Sequence, residues 1–325
     1  MVMTIIARPI ATIAFLAACL SASSSSATLS RAWVSGKGTD QASCGPIATP
    51  CRSLQYVHDN IISAAGEIDV LDPAGYGSLT ITKSLSVIND GAGTAGVLAP
   101  SGGNGITINA GSSDKITLRG LTIEGSGTAA NGVLFNSGAS LTIAHCVAQS
   151  FTGVCILLVP ASGTLTYTIS NTIVSDNAFI GIYLHLPGSG TANSRGIIDR
   201  VLAVNNGYGI AADLRPATSG THNMTISNGV ASNNANDGLY FATNATVPAT
   251  ATIDAMEITG NVRYGVWANT GNVSIFLGRS VIGASGSAGI QNQTSPNSFF
   301  TYKDNRFDAN TADVAGAALV AATPK

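Results

Sequence analysis

Three residues have the types that proton transfer needs. His185 offers an imidazole, Asp213 a carboxylate and Arg215 a permanent cation. A base, an acid and a cation gathered on one face would suit abstraction of a proton from a bound substrate. The plainer reading of the same three is a solvated histidine–carboxylate pair with an arginine in a nearby turn. Tyr183, Tyr240 and Trp267 point to a second chemistry, because aromatic faces set in a row can stack on sugar rings. They could equally cover a strand beneath a long turn. Either chemistry depends on whether residues so far apart in the chain meet, and that depends on the elements carrying them.

The elements repeat. A glycine followed by an aliphatic residue recurs at Gly105, Gly132, Gly153, Gly181, Gly209, Gly238, Gly265 and Gly289, with steps of 21 to 29 residues. A period in that range marks a solenoid, since one such unit cannot bury its own apolar face and must stack on its neighbours. One residue after each glycine the side chain is always aliphatic. Two after it come Thr107, Leu134, Cys155, Tyr183, Ala211, Tyr240, Trp267 and Gln291, a mixed set expected to face outward. Three after it are mostly apolar residues, and four after it mostly polar ones, His185 and Asp213 among them. This alternation of period two describes one strand per coil. Four residues before the glycine, Asn177, Asn205, Asn234 and Asn261 suggest a ladder of stacked amides. Further runs such as Thr225-Ile226-Ser227 and Val201-Leu202 supply two more strands per coil. The expected fold is therefore an all-β parallel β-helix. A β-sandwich would give glycine and asparagine no reason to keep a fixed offset. The L-x-x-L-x-L pattern of leucine-rich repeats is missing.

In that register His185 and Asp213 occupy one column on neighbouring coils, with backbones about 4.8 Å apart. Arg215 follows two residues along if the strand continues, although Pro216 argues that it stops. Tyr183, Tyr240 and Trp267 share another column, with Ala211 leaving a gap between the tyrosines. Asp213 is the sole acid in the two outward columns, so the converging carboxylates of a hydrolase are not evident.

Residues 1–27 carry Arg8, an apolar run from Ile10 to Leu20 and a serine-rich stretch, the pattern of a secretory signal too short to span a membrane as a mature helix. Cleavage could follow Ser25-Ser26-Ala27, or Leu16-Ala17-Ala18-Cys19 could act as a lipobox that leaves Cys19 as a lipid anchor. Either route implies export, to the periplasm, the medium or the cell envelope. In such an oxidising compartment Cys44 and Cys51 would close a local disulfide. Cys146 and Cys155 fall on opposite faces and are not expected to pair. Ser53 can cap a helix whose apolar face is Leu54, Val57, Ile61 and Ile62, a lid for the open end of the core. Residues 28–65 thus form an N-terminal strand, disulfide loop and capping helix, 66–311 the β-helix, and 312–325 a tail or second cap.

Charged residues make up 10% of the chain and the formal charge is −2, one unit more negative once Arg8 leaves with the leader. No basic stripe exists for nucleic acid. His58, His145 and His222 share no spacing with cysteines or acids that would argue a metal, and no cofactor motif is present. Composition and spacing leave the oligomeric state open.

Trp33-Val34-Ser35-Gly36, the Cys44 to Cys51 loop with Arg52-Ser53-Leu54, and the stretches from Gly66 to Pro73 and Leu79 to Val87 resemble the N-terminal part of bacterial secreted right-handed parallel β-helix repeat proteins. The resemblance covers nearly the whole mature chain and implies the pectate-lyase-like fold, whose characterised members mostly bind or cleave acidic polysaccharides. No catalytic motif of that superfamily carries over residue by residue. The expectation is an exported protein that binds polysaccharide along its elongated face. The alternatives are a lyase or hydrolase of acidic glycans, and a structural or adhesive surface protein without activity.

Overall fold

The computed structural model describes residues 28–294 and 298–323. The leader expected over residues 1–27, with its two cleavage points and the anchor at Cys19, lies outside them. The described chain winds as a parallel β-helix of one 12-stranded and two 10-stranded sheets, each coil giving one strand to each sheet. The glycine sheet runs from Leu79–Ile81 to Val314–Gly316, the long-strand sheet from Leu29–Val34 to Val320–Ala321, and the short-strand sheet from Ala74–Gly75 to Arg306–Asp308. In a representative coil, Ile180–His185, Asn193–Asp199 and Leu202–Val204 take these three places in turn. The tail expected after residue 311 adds strands to the stack, Val314–Gly316 on Ala288–Asn292 and Val320–Ala321 on Phe299–Thr301.

Two corners in each coil are made by residues in the left-handed backbone region. Between the long and short strands stand His145, Asn171, Arg200, Asn228, Ala255 and Arg279, with φ from 48° to 54°. Between the short strand and the next glycine strand stand Ser150, Asp176, Asn205, Asn233, Ala284 and Ala309, with φ from 51° to 64°. Short polar side chains bear this conformation best, which explains the asparagines and the aspartate. The glycines of the repeat serve a different need. A Cβ on Gly209 would lie 2.5 Å from the carbonyl oxygen of Gly238 on the next coil, so that coil can approach only where no side chain stands.

The amide ladder exists, with one rung moved. Asn177 Nδ2 donates to Asn206 Oδ1 at 2.7 Å, the Asn206 backbone N–H to Asn234 Oδ1 at 3.0 Å, and Asn234 Nδ2 to Asn261 Oδ1 at 2.9 Å. All four side chains are buried. Asn205, counted as a rung from the sequence, is instead the exposed corner residue, with Nδ2 donating to Asp176 Oδ1 at 3.2 Å. Its coil has one residue fewer between rung and glycine, Asn206-Gly207-Tyr208-Gly209, so counting back a fixed four lands on the corner.

A second correction concerns Cys155. Ile156 pairs with both Val133 and Ile182, so Cys155 itself fills the glycine column and Gly153 stands two residues too early. The Cys155 side chain is consequently buried, with Sγ donating to Ala148 O at 3.1 Å, and does not face outward. Cys146 is likewise a free buried thiol, pushed up to about 11 by burial. Cys44 and Cys51 are joined as a disulfide. Beside them Ser53 caps the helix Leu54–Asn60 by accepting from Tyr56 N at 3.3 Å, and Leu54, Val57, Ile61 and Ile62 are buried against the first strands.

Deep in the core, His222 shares Nδ1 with Ser194 Oγ at 2.8 Å, while its Nε2 is buried without a partner. Burial holds its pKa down at about 4 from an ordinary 6.5. Between those pH values the unfolded chain binds a proton that the folded chain refuses, so stability must fall as the medium is acidified. Denaturant titrations from neutrality to about pH 4 should show the parent losing about 3 kcal/mol more than His222→Gln; identical acid limbs would place the titration elsewhere. The rung assignment is checked in the same way. Asn206→Ala strands buried amide and carbonyl groups and should cost about 2 kcal/mol, whereas Asn205→Gly, which keeps the corner conformation, should stay within about 0.5 kcal/mol of the parent.

Candidate functional site

The outer face of the glycine sheet carries the residues singled out by type. Tyr183, Ala211, Tyr240 and Trp267 lie in register across four coils, and His185 lies in register with Asp213. The loops leaving this sheet are longest on the two central coils, seven residues at 186–192 and eight at 214–221, against two at 138–139. Leu186, Leu214 and Ala217 are buried, so both long loops fold back against the body.

Side-by-side backbones do not make His185 and Asp213 a pair, because each side chain engages its own coil. The strand ends at Asp213 and the chain turns at Pro216, with Ala217 N donating to Leu214 O at 3.1 Å. That turn returns Arg215 onto the preceding carboxylate. Its Nε meets Asp213 Oδ1 at 2.9 Å, its Nη2 meets Oδ2 at 2.6 Å, and its backbone N–H adds a third contact at 3.2 Å. The fork-on-fork arrangement raises the arginine still further above its ordinary value and leaves the half-exposed guanidinium over a buried acid. On the preceding coil His185 Nδ1 lies 2.9 Å from Tyr183 Oη, with the two rings 5.0 Å apart. Burial, seconded by the charge of Asp213, keeps the proton on this phenol. The contact engages Nδ1 and leaves Nε2 to meet other groups, as a donor where the phenol donates to Nδ1 and as an acceptor where Nδ1–H donates to the phenol.

The aromatic row is longer and better packed than its three sequence-identified members. Tyr240 and Trp267 are 5.0 Å apart between centroids, Tyr208 lies 6.0 Å from Tyr240, and Tyr264 lies 5.6 Å from Trp267. Phe179 packs edge-on against Tyr183 and Tyr208 at 6.3 and 6.0 Å. Tyr208 and Tyr264 stand one residue before the glycine, where strict period-two alternation from the buried Ile210 and Val266 would turn them inward; the alternation breaks at the glycine, whose Cβ position at Gly209 faces the buried Asn234 and Ala231, so the alternation pattern hides them. Ala211 leaves no gap, being buried with Val154, Ile180, Tyr240 and Ala242 in a small apolar cluster outside the main core. Tyr240, read from the sequence as an exposed ring, is only 9% exposed and accepts from Asn269 Nδ2 at 2.9 Å. Neighbouring rings on both sides cover it. Trp267 remains half-buried, with Nε1 donating to Gln293 Oε1 at 3.0 Å.

Arg263 braces this end of the row. Its guanidinium lies 4.3 Å from the Trp267 ring centroid and 5.3 Å from that of Tyr264. It also grips the fully buried Asp237, Nε to Oδ1 at 2.8 Å and Nη2 to Oδ2 at 2.7 Å. Burial still pushes the Asp237 carboxyl up, against the pull of that arginine. Elsewhere, Asp40 lies against Cys44 and Cys51, but the thiols are spent in the disulfide and the carboxylate accepts from Arg52 N, Ser53 N and Ser53 Oγ.

No protein-family model and no curated protein matches the chain. Among solved structures it is similar to a mannuronan C-5 epimerase A-module from Azotobacter vinelandii, 14% identical over 80% of this chain and 91% of the other, with a TM-score of 0.49. An alginate lyase from a Paenibacillus strain is 11% identical over 86% of this chain and 99% of its own, TM-score 0.49. The pectate lyase Pel9A is 12% identical over 90% of this chain and 80% of its own, again with a TM-score of 0.49. Likeness at this level carries no argument about activity. No helix among the described residues is long and apolar enough to cross a membrane.

The burial of Tyr240 has a measurable consequence. Tyr240→Ala should destabilise the chain by about 2 to 4 kcal/mol in equilibrium denaturation, the cost of emptying a packed aromatic site. A variant that unfolds with the parent would return this ring to the solvent.

Proposed function

We propose that this chain is an exported polysaccharide-binding β-helix that holds a glycan along the outer face of its glycine sheet. The observation that carries the reading is the continuous aromatic row from Tyr183 through Phe179, Tyr208 and Tyr240 to Trp267 and Tyr264, which crosses four coils and is braced at one end by Arg263. Flat apolar rings flanked by amides, an imidazole and a phenol are the combination that a sugar needs, because its ring has apolar faces and a hydroxyl rim. In this reading Tyr183 and Trp267 touch the polymer, Tyr240 supports them, and His185, Asn269 and Gln293 meet hydroxyls. Export by the leader would put the protein where such polymers are found, either free or held at the envelope through Cys19. The local disulfide suits that location.

A second reading, a lyase or hydrolase of acidic glycans, draws on one observation, the Tyr183–His185 pair beside Asp213 and Arg215. It asks Asp213 or His185 to act as a base, and both are engaged by other groups in the arrangement described.

The two readings separate in a single experiment. Purified mature protein is passed over immobilised polysaccharides, and the eluate is assayed for unsaturated and reducing ends. The binding reading expects retention without product, and Trp267→Ala should weaken retention by about tenfold, the loss of one central stacking contact. Product formation abolished by His185→Ala would favour the enzyme, and equal retention of parent and Trp267→Ala would remove this face as the site.

A further inference from the structure

We infer that the polymer held on this face is electrically neutral, a hydroxyl-only glycan of the glucan, mannan or xylan kind and not a polyuronate. The inference rests on the polysaccharide-binding reading above and adds to it the class of polymer. Recognition of a carboxylate-bearing chain needs cations free to meet it, usually an arginine fork or a lysine. The outer face of the glycine sheet has two arginines, and the charge of each is already matched. Arg215 turns its Nε–Nη2 edge onto Asp213, and Arg263 turns the same edge onto Asp237. Among the described residues, the strands from Val154–Leu158 to Ala288–Asn292 contain no lysine and no other arginine.

The two pairs are also hard to open. The Asp237 side chain is wholly buried and that of Asp213 is 10% exposed, so an arginine that swung out to a substrate would abandon a carboxylate with little water to replace it. Each pair therefore presents a net charge of zero, and the approach of a uronate would meet two fixed carboxylates whose cations are already shared. What stays available is neutral. The Gln293 and Asn269 amides, the Tyr183 phenol and the His185 ring can exchange hydrogen bonds with hydroxyls beside the half-buried Trp267 ring.

The test compares soluble xylan, β-glucan and glucomannan with polygalacturonate and alginate by affinity electrophoresis of the full mature chain, at low and at high salt. Expected is retardation by a neutral polymer that changes less than about twofold with salt, with the polyuronates at least about tenfold weaker, since an uncharged polymer offers no Coulomb attraction for salt to screen. Preference for a polyuronate, lost at high salt, would overturn the neutral class while leaving polysaccharide binding intact. No retardation by any of the five would overturn both. Asp213→Asn then asks whether the pairing is the cause. Freeing Arg215 should raise retardation by polygalacturonate severalfold at low salt, and the gain should vanish at high salt. A folded variant with no such gain would overturn the explanation. If the variant fails to fold, the salt comparison on the parent decides alone.

Discussion

Each coil lies directly on the one before it, in register, at the distance of a β-sheet hydrogen bond, and every other property of the molecule depends on that contact. The glycine column shows how tight it is, for a single Cβ at Gly209 would strike the carbonyl of Gly238. The corners turn by left-handed residues, so that each coil closes in nearly the same number of steps and the next can follow it. Inside, the buried amides of Asn177, Asn206, Asn234 and Asn261 bond from coil to coil and satisfy backbone groups that the corners would otherwise leave stranded. A slip of one residue would turn every core side chain outward, and the amide ladder would then have no partners.

The same stacking builds the outer platform. Residues distant in sequence become neighbours about 4.8 Å apart, so one aromatic residue per coil is enough to make a continuous row. The row is then stiffened by charge. Arg263 neutralises a carboxylate that burial disfavours, and in doing so its guanidinium is held over Trp267. A buried pair of this kind is a weak source of stability, yet removal of either partner would be costly, which keeps the indole supported from one side.

How much of this was legible follows from what each feature depends on. The fold was legible because period-two alternation and the glycine column are properties of single positions. The register of His185 on Asp213, and of Tyr240 on Trp267, followed directly. Errors arose where a coil changed length. One residue fewer before Gly209 exchanged Asn205 for Asn206, and a cysteine in the glycine column left Gly153 as a decoy. Side-chain engagement was less legible still. That Arg215 would turn back onto Asp213 depends on the bend at Pro216, and the burial of Tyr240 depends on Tyr208, whose position before the glycine was not counted as part of the outward face.

The platform's rigidity follows from how its polar groups are partnered. A catalytic base must hold an open lone pair, which on a flat, partly dry face is an unsatisfied group with a standing cost. Here four polar groups on the face have a partner within their own coil or the next: Asp213 has Arg215, His185 has Tyr183, Tyr240 has Asn269 and Trp267 has Gln293. Partners of that kind keep a row of rings ordered, so on the proposed binding reading little conformational entropy would be lost when a glycan settled on it. It also means that opening Asp213 for chemistry would first require displacing an arginine from a buried acid. The pairing that keeps the row ordered is thus the same pairing that a catalytic role for Asp213 would have to break.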